Sequence, residues 1–274
     1  FGVSHLLGRW YYEKLLNLKG YPRMRDSLKP LGQESRFDNK VWDIRYFPIL
    51  VNKALNQSVV LIRDKTNLLE KEKELKLKEI LIQEMHHRIK NNLQTIAGLL
   101  RMQARRSENQ EAKEALGEGI RRISSIAVAH ELLSAHLEVK VELRTLVKAL
   151  VDMNQQIGTF SATQVDGVDG LAAISLSVEE VNTMSLVLNE LLLNAIEHGA
   201  DEKVTIGSIL EGDELKIILQ NKSLSPLVEW EKTEHLGLKI VKSLVEDSLK
   251  GKFSLIEQDG WIQAILAYDQ GEQK

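Results

Sequence analysis

The chain has 274 residues, 43% of them hydrophobic and 27% charged, with a formal net charge of −3 at pH 7; this balance gives no electrostatic bias toward nucleic acid or an anionic membrane. It has no cysteine, which excludes disulfides, thiolate metal sites and cysteine nucleophiles, and makes a reducing cytoplasm the simplest setting. No apolar run reaches the roughly 20 residues of a membrane helix, and with only four prolines the composition favours helices in one large or two modest globular domains.

The chain begins Phe1-Gly2-Val3, without an initiator methionine or a signal-peptide pattern, and so reads as a fragment of something longer. Two β-rich runs, residues 41–50 and 58–63, flank a polar turn at 52–57, which predicts an antiparallel hairpin. Asp64-Lys65-Thr66 then leads directly into a charged helical run. A last strand finishing in Asp-x-Thr before a signalling helix resembles the end of a PAS sensor domain. Residues 1–66 would then be a partial PAS-like module, although the pattern fits any small α+β module as well.

Residues 66–106 contain no proline and a single glycine, Gly98, predicting one helix of ~60 Å at 1.5 Å per residue. Ile82, Met85, Ile89, Ile96, Leu99 and Gln103 take the a and d places of a heptad, with Leu93 and Leu100 widening the stripe. That phase puts His86 beside the seam and His87 pointing away from it. His87 stands in Glu-Met-His-His-Arg-Ile-Lys-Asn-Asn-Leu-Gln, residues 84–94, with Asn91 one turn on and Arg88 and Lys90 adding positive charge. These neighbours suit a site that receives an anionic phosphoryl group. An ordinary solvated histidine fits the local sequence about equally.

A break at Ser107-Glu108-Asn109-Gln110 precedes a second helix whose stripe runs through Leu116, Ile120, Ile123, Ala127, His130 and Leu137. Two such helices form an antiparallel hairpin, and each stripe is too wide for one partner. The hairpin is therefore expected to pair with its own copy in a four-helix bundle, giving a homodimer. His130 reads as a packing histidine, and His5, His136, His198 and His235 share no metal-ligand spacing with it.

From about residue 140 the texture becomes α/β. The pattern predicts a helix over 142–157 and a strand over 172–176. A second helix opens with a Ser177/Glu180 capping box and runs through His198. Strands 203–210 and 214–221 flank Glu211-Gly212-Asp213. A helix over 238–249, a stop at Gly251 and a last strand pair around Asp259-Gly260 complete an α/β sandwich of one mixed sheet and three helices.

On the helix ending at His198, Glu190, Asn194 and His198 recur every four residues and share one face. An asparagine oxygen suits Mg²⁺ that already carries triphosphate oxygens, and a carboxylate one turn earlier can orient water or accept a proton. A plain solvated helix face is an equal reading of these three residues alone. Gly237 opens a later helix after a polar stretch, 222–234, of the length of a mobile lid. Such a helix start favours phosphate, though one glycine before a helix is a weak signal. Its weight comes from the order of elements: histidine helix, second helix, Glu-x-x-x-Asn helix, strand, lid, glycine, helix.

Residues 84–94 and 188–198 together make the chain resemble a sensor histidine kinase, of the subfamily whose acceptor helix carries His-His-Arg-x-Lys-Asn-Asn-Leu-Gln. The likeness extends over about residues 80–268. The resemblance implies a multidomain α and α+β chain: a PAS-like module at 1–66, a signalling helix with a dimerising phosphotransfer hairpin at 67–138, and a Bergerat-type ATP domain at 139–274. It implies ATP and Mg²⁺ as cofactors, His87 as phosphoacceptor and Glu190 as assisting carboxylate. Asn194 would be the Mg²⁺ ligand and Gly237 the lid-end glycine, with His198, Asn221 and Leu238 completing the nucleotide site. It further implies a response-regulator partner, of the RNA-binding antiterminator type that similar kinases often serve.

One departure stands out. Relatives usually carry Asp-x-Gly-x-Gly where this chain has Asn221-Lys222-Ser223-Leu224-Ser225. An asparagine carbonyl can accept the adenine amino hydrogen, but with a neutral bond weaker than a carboxylate's. Two rivals follow: a phosphotransfer or docking scaffold with a degenerate nucleotide site, and an ATP-driven clamp, which has no use for an exposed His87. The kinase reading needs an outward His87 ring and a nucleotide cleft not filled by the lobe's own side chains.

Overall fold

The computed structural model describes residues 20–37, 39–135, 140–157, 164–223 and 236–270. The chain divides into two compact units, Phe1–Lys78 and Glu79–Lys274.

In the first unit, helix α1 (Gly20–Ser27) precedes strands β1 (Leu31–Phe37), β2 (Lys40–Val51) and β3 (Ala54–Asp64). They form an antiparallel sheet in the order β1-β2-β3. The β2–β3 hairpin was expected from the sequence; β1 was not. The turn is also shorter than the expected 52–57. Only Asn52 and Lys53 form it, at φ 52° and 64°, because two consecutive left-handed residues match the twist of paired strands. Ile44 and Tyr46 are its buried centre, with Leu31, Trp42, Val60 and Ile62 packed around them.

The Asp64-x-Thr66 motif joins sheet to helix by hydrogen bonds. The Thr66 amide donates to Asp64 Oδ1 at 3.0 Å, and the Thr66 hydroxyl accepts from the Val41 amide at 2.9 Å. The Lys65 amide donates to the Val41 carbonyl at 2.8 Å. The bonds from Thr66, then the Lys40 ammonium, hold the Asp64 carboxyl down at about 2. Helix α2 starts there and runs unbroken over Thr66–Arg106.

In the second unit α2 turns at residues 107–109 into α3 (Gln110–Ala135), where Asn109 Oδ1 accepts from the Ala112 amide at 3.2 Å and so caps it. The heptad a/d stripe does not face α3. Ile82, Met85, Ile96 and Leu99 stay 45–59% exposed, while Ala97, the residue after Ile96, is buried. An apolar stripe left bare in one chain is what the bundle expectation requires of a second copy. Leu137 of the expected α3 stripe lies outside the described residues.

The α/β part begins with β4 (Val141–Glu142) and α4 (Leu143–Ile157), followed by β5 (Gln164–Asp166), β6 (Ser175–Leu176) and α5 (Val178–Glu197). Strands β7 (Gly199–Glu211) and β8 (Glu214–Ser223) come next, then α6 (Leu236–Ser243) with a π turn at Leu244–Ser248, β9 (Lys252–Gln258) and β10 (Trp261–Asp269). The main sheet has the order β5-β7-β8-β10-β9, with β5 parallel to β7 and the other pairs antiparallel. It is mixed, as expected, and β10 alternates buried and half-buried residues down to Tyr268.

Two details differ from the pattern reading. The strand expected over 172–176 is only Ser175–Leu176, and it pairs with Val141–Glu142 rather than with the main sheet. Strand β5 lies in three residues too few to show a period. Leu146, Leu150, Leu188, Leu192, Ile217 and Leu266 belong to one apolar core that also takes in Ala129 and Leu133 of α3.

Candidate functional site

His87 is exposed on α2. His86, its neighbour, is half-buried and engaged: its Nδ1 lies 2.8 Å from His130 Nδ1, the rings 5.1 Å apart between centroids. Burial, then the charge of a neighbouring histidine, pushes both His86 and His130 below the usual imidazole value. The histidine pair is thus divided between a packing ring and an outward ring. The cations expected to line the acceptor are already paired, Arg88 with Glu84 at 2.8 Å and Lys90 with Glu131.

The Ser177 side chain and Glu180 form a full capping box, with the Ser177 amide donating to Glu180 Oε2 at 2.7 Å. This fixes the start of α5 and hence the phase of Glu190 and Asn194. Neither lies on a solvated face. Glu190 is only 6% exposed, and an ionised carboxylate so placed needs a partner. The partner comes from the hairpin: Arg122 Nε donates to Glu190 Oε1 at 2.9 Å and Nη2 to Oε2 at 3.2 Å. The hydrogen bond that Arg122 donates to Glu190 leads the causes that raise the Arg122 pKa. Beside it, Arg121 reaches Glu197 at 3.4 Å.

Gly237 lies against the same carboxylate. A Cβ there would sit 2.5 Å from Glu190 Oε2 and 3.9 Å from Asn194 Nδ2, so the structure brings Glu190, Asn194 and Gly237 together. Asn221 is buried on β8 and lines a small cavity with Leu191, Asn194, Ala195 and Leu238. His198 is placed apart: it is the C-cap of α5 and does not line this cavity. Of the segment read as a lid, 222–234, Lys222 and Ser223 belong to β8 and the rest lies outside the described residues.

Asn194 Nδ2 is buried with no hydrogen-bond partner, and its amide with the Glu190 carboxylate offers the oxygen donors Mg²⁺ prefers. No group of three or more His, Cys, Asp or Glu that could hold a metal occurs among the described residues. A Mg²⁺ here would take its other ligands from water and phosphate oxygens. The residues fit the ion. Between Asn194, Asn221 and Leu238 the described residues enclose a cavity of about 10 Å³, while the space toward residues 224–235 lies outside the described ones. A larger cavity, about 480 Å³, lies between α2, α3 and α4 near Ala97, Ala127 and Met153. It contains none of the expected site residues.

Two features escaped the sequence reading. Arg122 had no local spacing to betray it, since its partner is 68 residues away. Asn154 and Asn189 meet in the fully buried core, Nδ2 to Oδ1 at 2.9 Å, leaving Asn154 Oδ1 and Asn189 Nδ2 without partners.

Residues 84–158 match the histidine kinase family HisKA_2. The sensor histidine kinase PdtaS of Mycolicibacterium smegmatis is 36% identical over 220 residues, covering 77% of this chain and 44% of that protein. PdtaS of Mycobacterium tuberculosis is 34% identical over the same length and the same shares. The chain thus spans less than half the length of these curated relatives. The solved histidine kinase domain of the blue-light activated kinase EL346 from Erythrobacter litoralis aligns with a TM-score of 0.49 at 15% identity, over 72% of this chain and 95% of that one. Among the described residues no helix is long and apolar enough to cross a membrane.

Proposed function

We propose, from the premise that this chain belongs to the histidine kinases, that it autophosphorylates on His87 from Mg·ATP and passes the phosphoryl group to an aspartate of a response regulator. The observation that carries this reading is the division of the histidine pair, with His86 tied to His130 and His87 exposed. His87 Nε2 attacks the γ-phosphorus as the bond to the β–γ bridging oxygen breaks and ADP leaves. Glu190, once clear of Arg122, accepts the proton that the imidazolium sheds. Asn194 would hold the Mg²⁺, which supplies charge neutralisation to a reaction that needs little beyond positioning. Asn221, Gly237 and Leu238 flank the nucleotide, and His198 lies at the end of its helix. The partition of the chain into a PAS-like module (1–66), a hairpin (67–138) and an ATP domain (139–274), a homodimer through the bare stripe of α2, and a cytoplasmic location belong to the same reading. So does a response regulator of the antiterminator type.

The test is incubation with γ-labelled ATP, comparing His87→Gln with His86→Gln. Acid-labile label lost in the first and kept in the second is the expected result; the reverse overturns the assignment. The absent glycine box favours a second reading, a phosphotransfer or docking scaffold. Calorimetric titration with a non-hydrolysable ATP analogue and Mg²⁺ separates the two, since the scaffold shows no binding at millimolar nucleotide.

A further inference from the structure

The carboxylate proposed to serve His87 is not free to do so. Both Glu190 oxygens accept hydrogen bonds from Arg122, a residue of the hairpin rather than of the nucleotide site. Such a bidentate pairing leaves little lone-pair capacity for a proton. The pair is also in the wrong place. His130, which lies level with His86, is eight residues beyond Arg122 on α3, about 12 Å at 1.5 Å per residue. Glu190 is thus moored some two helical turns from the acceptor's level. Beside it Gly237 lies against Glu190 Oε2, and a cavity of about 10 Å³ is left next to Asn194. Arg122 has an alternative partner one turn back on its own helix, Glu118, already 3.5 Å from Nη2.

We infer that Arg122 is an autoinhibitory latch, which holds Glu190 and its helix docked on α3 and must hand over to Glu118 before His87 can be phosphorylated. The guanidinium meets two carboxylates at once, of which only Glu190 is buried, so it can release one while keeping the other, as switches do. Arg121–Glu197, about two turns of α5 further on, reinforces the docked state. The inference rests on the kinase reading for the role of Glu190, but the latch itself can be observed without ATP.

The absence of native cysteine allows spin labels on the full chain at two exposed positions, Glu114→Cys on α3 and Lys242→Cys on α6, with the distance read by electron–electron resonance. Arg122→Gln is expected to shift or broaden that distance and to raise the initial rate of His87 labelling severalfold. Arg122→Lys, which keeps the charge but not the bidentate grip, should fall between. An unchanged distance in Arg122→Gln overturns the latch whatever the labelling does, as does a moved distance with labelling slower than in the parent chain. A moved distance with no labelling in either chain upholds the latch as a docking contact and overturns the kinase reading instead.

Discussion

The Nδ1 atoms of His86 and His130 face each other at 2.8 Å across the hairpin, so one must donate and the other accept. Burial sets both folded values below the ordinary imidazole value, and the unfolded chain therefore takes up protons first as pH falls. The stability of this contact is complete above the ordinary value of ~6.5 and is lost as pH falls through the lowered values. The melting temperature of the chain should be flat above neutrality and decline below it. His130→Gln should flatten that decline, as circular dichroism melts across the range will show.

Gly237→Ala should dislodge Glu190. The new Cβ would lie 2.5 Å from Oε2, and the carboxylate cannot swing aside while Arg122 grips both oxygens. A loss of about 1–3 kcal/mol is expected, in line with overpacking. The effect should shrink markedly in an Arg122→Gln background, which chemical denaturation of the two single variants and the double variant will measure.

Asp64→Asn tests the strand-to-helix junction. The folded carboxyl titrates at about 2, below the ordinary ~3.9. Its contribution is therefore present above ~3.9 and disappears as pH falls toward 2. Hydrogen exchange at the Thr66 amide should accelerate over that window in the parent chain, and should already be fast at higher pH in the variant.

Gly167→Ala should be the most damaging of these single changes. Gly167 has φ 91°, and a Cβ there would stand 2.1 Å from the Ile206 carbonyl oxygen. Backbone cannot step aside as a side chain can. A cost of about 2–3 kcal/mol is expected from strain and contact together, with the loss of β5 pairing visible as faster exchange at Val204.

Long periodic elements were legible in the sequence because each repeats its signal many times. The α2 helix, the Ser177 capping box and the strands around Gly212 all belong to this class. Strands β4 and β5 and the pairing of β6 were not legible, since two or three residues cannot display a period and their partners are remote in sequence. In the site, the i,i+4 rule brought Glu190 and Asn194 to one face, and the order of elements added Gly237. Whether that face met solvent or protein depended on tertiary docking, which no local pattern encodes. Arg122 answers to a carboxylate on another helix, and Gly237 meets Glu190 only because α6 comes to lie beside α5.

The sealed contact between Asn154 and Asn189 also constrains how α4 can lie on α5. Rolling either helix by one residue, about 100°, would strand both amides among leucines, at a penalty of about 1–3 kcal/mol for each orphaned group. A purely aliphatic seam would tolerate several neighbouring alignments. The two asparagines act as an alignment pin, admitting one rotational setting of the helix that carries Glu190 and Asn194.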